Sequence, residues 1–353
     1  MPSANASRLH DVGRLVLALT IGAAGGWVFA QLRLPLPWML GAMTAVTIAA
    51  LAGAPVRMMR WLRSIFITVL GVMLGASFTP TVVARMPGWW PTLLALGVWA
   101  ALTTWLGWLY FRRRAGFDPI TAYFAAAPGG LNEMITVGGQ LGGDERMISL
   151  AHATRVLITV FAIPIWFRLH GDIAVDGGAR ATIGLLDVGL QDYAILAACA
   201  AVGALGGARL GIPAAFVLGP MFLSAGIHLA GITESTPPTL IVQMAQVIIG
   251  STVGCRFVGV PVRRVGQAIG HAAIVAVIMI AIAVAFAFTI GRLSGLPIAA
   301  IVLAFAPGGL AEMSLVALAL AVDAAFVATH HMARILMIIL LAPTIFSWLK
   351  RKA

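Results

Sequence analysis

Uncharged apolar stretches of about twenty residues recur along the whole chain, among them 15–32, 89–111 and 272–290. That is the length an α-helix needs to cross roughly 30 Å of hydrocarbon. Of the 353 residues, 61% are hydrophobic and 10% charged, where soluble domains carry roughly 25% charged residues. A soluble globule is thereby excluded and a polytopic α-helical membrane protein is expected. The net charge of +11 comes from arginines in short loops between apolar spans. There they orient helices and meet anionic lipid rather than nucleic acid. Cys199 and Cys255 show neither CxxC nor metal spacing, so no disulfide framework or metal centre is expected. Trp89, Trp90, Trp108 and Trp348 fall at span ends and read as interfacial anchors.

The chain is internally duplicated. Ala127-Pro128-Gly129-Gly130-Leu131-Asn132-Glu133-Met134 returns 179 residues on as Ala306-Pro307-Gly308-Gly309-Leu310-Ala311-Glu312-Met313. At the same offset Gly71, Gly75, Asp144, His152 and Arg155 meet Gly250, Gly254, Asp323, His331 and Arg334. At 178, Pro35, Gly41 and Gly53 meet Pro213, Gly219 and Gly231. The repeats occupy 1–170 and 190–353, with a linker over 171–189. Six segments are predicted in each: 14–32, 35–53, 64–84, 88–111, 117–141 and 147–168, then 190–208, 212–231, 239–258, 268–290, 296–321 and 327–348. The fifth of each repeat carries Pro-Gly-Gly at its centre, which costs a helix interior about 3 kcal/mol for proline and about 1 for each glycine. Those segments should be broken or re-entrant.

Lysines and arginines of short loops mark the cytoplasmic side. In the first repeat they precede the first span (Arg8, Arg14), follow the second (Arg57, Arg60, Arg63) and follow the fourth (Arg112, Arg113, Arg114). In the second the bias reverses, to Arg256, Arg263 and Arg264 after the third span and Lys350-Arg351-Lys352 at the end, while acidic residues mark the linker (Asp172, Asp176, Asp187, Asp192). Inverted repeats require an odd number of crossings each. The expected fold is therefore all-α, with two inverted repeats of about five transmembrane helices plus one re-entrant Pro-Gly-Gly segment, an external linker and both termini cytoplasmic.

Inverted repeats whose broken helices meet near the midplane are a transporter signature. Proline frees a carbonyl, glycine admits close approach, and lipid satisfies neither, so the breaks should line a cavity or be packed in protein. Glu133 and Glu312 follow the breaks, and an ionisable residue at membrane depth is expensive unless partnered. Arg155 and Arg334 are the expected ion-pair partners, serving either a site or a clamp between neighbouring segments. His152 and His331 each stand three residues before their arginine, on the same helical face. Asp144 and Asp323 precede that helix, as N-terminal helix acids or ion ligands. Candidate substrate- and ion-binding residues are thus Pro128, Gly129, Gly130, Asn132, Glu133, His152, Arg155, Pro307, Gly308, Gly309, Glu312, His331 and Arg334, with Asp144 and Asp323 as further ion ligands.

The duplicated APGGLxEM motif, the halves of about 180 residues and the total length resemble the AbrB-duplication family of bacterial membrane proteins, over nearly the whole chain. Members of that family have been labelled ammonia monooxygenase and AbrB family regulator, and are distinct from the small soluble DNA-binding AbrB proteins. The architecture is also similar to that of citrate and glutamate symporters with glycine-rich re-entrant loops. Three functions compete: a secondary transporter of a small polar or anionic solute coupled to H⁺ or Na⁺, a membrane sensor acting on gene expression indirectly, and the monooxygenase of the family label. The last needs a metal and an electron supply, for which no ligand cluster is evident, so no enzyme activity and no cofactor are expected. The resemblance implies the bacterial inner membrane. Expected partners are lipid and a small-molecule or ionic substrate, without nucleic acid; a homodimer is left open.

Overall fold

The computed structural model describes the backbone of residues 4–170, 182–259 and 262–352, and the side chains of 10–169, 182–259 and 266–341. Asp172, Asp176 and much of the linker lie outside the described residues, as do the side chains of Arg8, Arg263, Arg264, Trp348 and Lys350-Arg351-Lys352. The first repeat forms α1 (Ala4–Gln31), α2 (Pro37–Leu51), α3 (Arg60–Gly75), α4 (Pro80–Arg85), α5 (Trp90–Arg114), α6 (Pro119–Ala126), α7 (Leu131–Gln140) and α8 (Glu145–His170). The second forms α9 (Leu190–Arg209), α10 (Ala215–Leu229), α11 (Thr239–Gly254), α12 (Val262–Ser294), α13 (Ile298–Phe305), α14 (Leu310–Ala319) and α15 (Ala324–Lys352).

The chain is an all-α polytopic membrane protein. Among the described residues, seven helical stretches are long and apolar enough to cross a bilayer, fewer than the ten spans expected. The difference lies in α2 and α10, of 15 residues, and α3, of 16; at 1.5 Å per residue they reach only about 22–24 Å. The third segment was expected to run to 84, yet α3 stops at Gly75 and helix resumes at Pro80. Proline offers no N–H to a helix running into it, and it biases the residue before it away from helical geometry.

Backbone conformation repeats with the sequence. Ten of the eleven left-handed φ angles among the described residues pair at the repeat offset, Gly259 standing alone: Arg33 and Gly211 (52° and 67°), Leu36 and Ala214 (46° and 50°), Gly53 and Gly231 (89° and 68°), Gly116 and Gly295 (68° and 70°), and Gly142 and Ala321 (96° and 52°). Leu36 and Ala214 cap α2 and α10, so both helices begin from the same unusual turn.

The compact units cut across the repeats. One comprises Met1–Pro80 and His170–Pro261, the other Thr81–Leu169 and Val262–Ala353, so each unit takes corresponding segments from both repeats. In the first unit, α1 meets α2 where Gly25 and Gly41 face each other's carbonyls, and α9 meets α10 at the equivalent Gly203 and Gly219. Any side chain there would strike backbone, the small-residue contact that membrane helices use to pack closely. Gly71 and Gly75 of α3 lie on the Val217 and Met221 carbonyls of α10; Gly250 and Gly254 of α11 lie on the Met39 carbonyl and Val46 of α2. Each repeat's third segment thus packs on the other's second. The segment leading into α3 (53–58) and the segment leaving α11 (255–259) line one cavity of about 660 Å³, so α3 starts near where α11 ends.

In the second unit the end of α5 likewise meets the start of the equivalent helix α12. Tyr110, near the end of α5, hydrogen-bonds His271, near the start of α12, at 3.1 Å. Trp89 is not an interfacial anchor: it is buried, edge-on to Phe326 at 5.1 Å and beside His330. An aromatic ring at this span end finds more apolar surface in the protein than at an interface.

Candidate functional site

Both Pro-Gly-Gly segments break their helices, for a local reason. Ala127 and Ala306 each precede a proline and adopt extended ψ angles of 125° and 137°, the geometry a following proline favours. Helix resumes at Leu131 and Leu310, after extended Gly130 and Gly309. The pieces are short: 8 residues in α6 and α13, and 10 in α7 and α14. The first pair folds back on itself. Gly138 of α7 faces Phe124 of α6, its missing Cβ position 3.1 Å from the ring's Cγ, and the Asp144 N–H donates to Thr121 Oγ1 at 2.8 Å. The chain therefore leaves α7 beside the point where it entered α6. Asp118 accepts from the Ile120 and Thr121 N–H groups to cap that entry, a role legible in the Asp-Pro pair at the helix start.

A helix that ends at a break leaves its last carbonyls without N–H partners, and here buried side chains of the following helix supply them. Arg155 of α8 donates through Nη1 to the Ala127 carbonyl at 3.1 Å and through Nη2 to His152 Nδ1 at 3.0 Å. A guanidinium only donates, so His152 Nδ1 accepts, and Nε2 carries the hydrogen it donates to the Phe124 carbonyl at 2.8 Å. The second repeat reproduces the arrangement on α15. Arg334 donates to the carbonyls of Ala306 (2.5 Å) and Gly308 (2.6 Å) and to His331 Nδ1 (3.1 Å), while His331 Nε2 donates to Leu303 (2.9 Å). All four side chains are at least 96% buried.

This corrects the expected ion pairs. Arg155 and Arg334 bind backbone carbonyls, and neither lies within ion-pairing distance of a glutamate. Glu133 and Glu312 fold back over Gly130 and Gly309, so closely that a Cβ on either glycine would strike the carboxylate. Each thus sits on the N-terminus of the second half-helix while its arginine sits on the C-terminus of the first. Acid on the positive end and cation on the negative end is the arrangement helix dipoles favour. Charge type and helix end decide the partners, and the acid and the base have no need of each other.

Asp144 accepts from the Arg146 and Met147 N–H groups and Asp323 from Phe326, so both act as N-caps, one of the two roles open to them. Asn132 is exposed, whereas its counterpart Ala311 is buried. Pro128, Gly129, Pro307 and Gly308 are buried, and Gly130 and Gly309 half-buried.

The second unit also holds buried polar atoms without hydrogen-bond partners: Nε of Arg155 and Arg334, the hydroxyls of Thr154, Ser314 and Thr329, and Nε1 of Trp99. Such atoms are scarce in native proteins and mark places for water or a ligand. A cavity of about 300 Å³ opens beside the first break, lined by Tyr123 and Ala127, by Ala100 and Thr104 of α5 and by Met337 and Ile338 of α15. Sequence reading missed the hydroxyls and His330, whose ring bonds Thr92 Oγ1 and the Phe326 carbonyl at 2.8 Å each. Isolated threonines and serines in apolar helices carry no pattern that marks them.

Comparison with known proteins follows the same lines. The chain is 27% identical to "Uncharacterized protein YhjN" of Bacillus subtilis (strain 168), over 93% of its own length and 91% of that protein's. It is 23% identical to "Putative regulator AbrB" of Escherichia coli (strain K12), over 94% and 93%. Residues 38–350 match the family described as AbrB, transition state regulatory protein AbrB. The chain belongs to the AbrB family.

Proposed function

We propose that this protein is a secondary transporter of a small anionic solute coupled to H⁺ or Na⁺, built on inverted repeats whose re-entrant Pro-Gly-Gly hairpins form the site. The observation that carries the reading is the pair of buried guanidiniums on the breaks, with unpartnered Nε–H groups and no carboxylate within ion-pairing distance. Carbonyl dipoles offset part of each charge, and the remainder favours an anion. Glu133 and Glu312, half-buried at half-helix N-termini, are the groups placed to bind and release the coupling cation. The start of α3 beside the end of α11, and the end of α5 beside the start of α12, support inversion, as does the reversed arginine bias. That reading places the protein in the inner membrane with both termini cytoplasmic.

A sensor acting indirectly on gene expression is the second reading, favoured by the name of the Escherichia coli relative. A metabolite-wide uptake and efflux screen on reconstituted vesicles, under an imposed pH or Na⁺ gradient, separates the two. A transporter moves at least one anion against its gradient. A sensor binds its ligand without net flux, and that result would sink the proposal.

A further inference from the structure

In the first unit, away from the helix breaks, the cavity of about 660 Å³ gathers arginines from three separate segments: Arg14 of α1, Arg57 of the segment after α2, and Arg256 after α11. We infer that it is a binding site for a phosphate-bearing anion.

The volume falls in the range of small-molecule sites, roughly 300–1,000 Å³. The Arg14 Nε is buried and lacks a hydrogen-bond partner, although a guanidinium is built to donate through every N–H. The Arg57 N–H donates to the Arg14 carbonyl at 3.3 Å, which ties the wall carrying Arg57 to α1. Arg57 Nη1 also meets Asp11 at 2.6 Å. That carboxylate shows the anion chemistry the arginine accepts. Guanidiniums converging from three segments suit a multiply charged or multidentate oxyanion, whose several oxygens guanidinium forks bind in pairs. A soluble phosphate ester and the headgroup of an anionic phospholipid share that chemistry.

Cys255 also lines the cavity and is half-buried, while Cys199, in α9, is 2% exposed. The two cysteines are therefore a built-in probe and control. Full-length protein in neutral detergent is treated with N-ethylmaleimide, and alkylation of each cysteine is followed by mass spectrometry. One arm adds inorganic phosphate or glycerol 3-phosphate; another compares phosphatidylglycerol nanodiscs with phosphatidylcholine nanodiscs. Severalfold slowing at Cys255 in the first arm assigns a soluble anion, and slowing only in phosphatidylglycerol assigns a lipid headgroup. In either case the Arg14→Gln/Arg256→Gln variant should lose the protection and Arg14→Lys should keep much of it, with Cys199 unlabelled throughout as the sign of an intact fold. Unchanged Cys255 labelling in both arms, or protection that persists in the double glutamine variant, would overturn the inference.

Discussion

A buried arginine is costly unless each donor finds an acceptor, and Arg155 and Arg334 find theirs in carbonyls that the helix breaks themselves create. The two are not equal: Arg334 holds the Ala306 and Gly308 carbonyls, Arg155 the Ala127 carbonyl alone. An orphaned buried carbonyl costs about 1–3 kcal/mol. Arg334→Ala is therefore expected to lower thermal stability more than Arg155→Ala, by roughly one such increment, as read by unfolding of the purified variants. Exchanging Glu312 and Arg334 should not restore the fold, because a carboxylate at 334 cannot donate to those carbonyls. The sequence pointed to these side chains through their repetition at one offset. It could not name their acceptors, since every residue carries a carbonyl and nothing in the side-chain pattern says which one is left unpaired. The duplicated acid and base invited an ion pair, whereas the helix ends drew each to a different place.

At the scale of elements, most boundaries were legible, because charge-free runs, prolines and glycines are local signals. The broken fifth segment was legible for the same reason. What escaped was the helix reset at Pro80, the shortness of α2, α3 and α10, and the contacts that hold α7 along α6, such as Gly138 with Phe124. The second broken segment carries a residual strain that the first avoids. Gly142 takes the left-handed turn after α7 at no steric cost, while Ala321 takes it after α14 with φ 52°. Ala321→Gly should therefore stabilise the protein by about 0.5–1 kcal/mol, the strain relieved exceeding the chain entropy that glycine adds. A raised unfolding midpoint for this variant, beside an unchanged one for Ala319→Gly or a lower one, is the outcome expected.

For the whole molecule, duplication was plain in the sequence, yet the units it builds were not: each unit mixes segments of both repeats, an arrangement no linear pattern declares. The proposed topology rests on the arginine bias together with the meeting of opposite ends of equivalent helices. Single cysteines from Arg60→Cys, Arg113→Cys and Val262→Cys, in a background without Cys199 and Cys255, should react from the cytoplasmic side and Gly178→Cys from the outside. Labelling of positions 178 and 262 from the opposite sides would remove the inverted-repeat argument. The claim that the two breaks carry an anion past the paired glutamates is tested most directly by vesicle flux under an imposed pH or Na⁺ gradient, comparing the wild type with Glu133→Gln/Glu312→Gln of matched thermal stability. Gradient-driven accumulation of an anion by the wild type, with loss of at least about tenfold in the double variant, is the predicted result; full gradient-driven flux in the double variant, or none in the wild type, would contradict it.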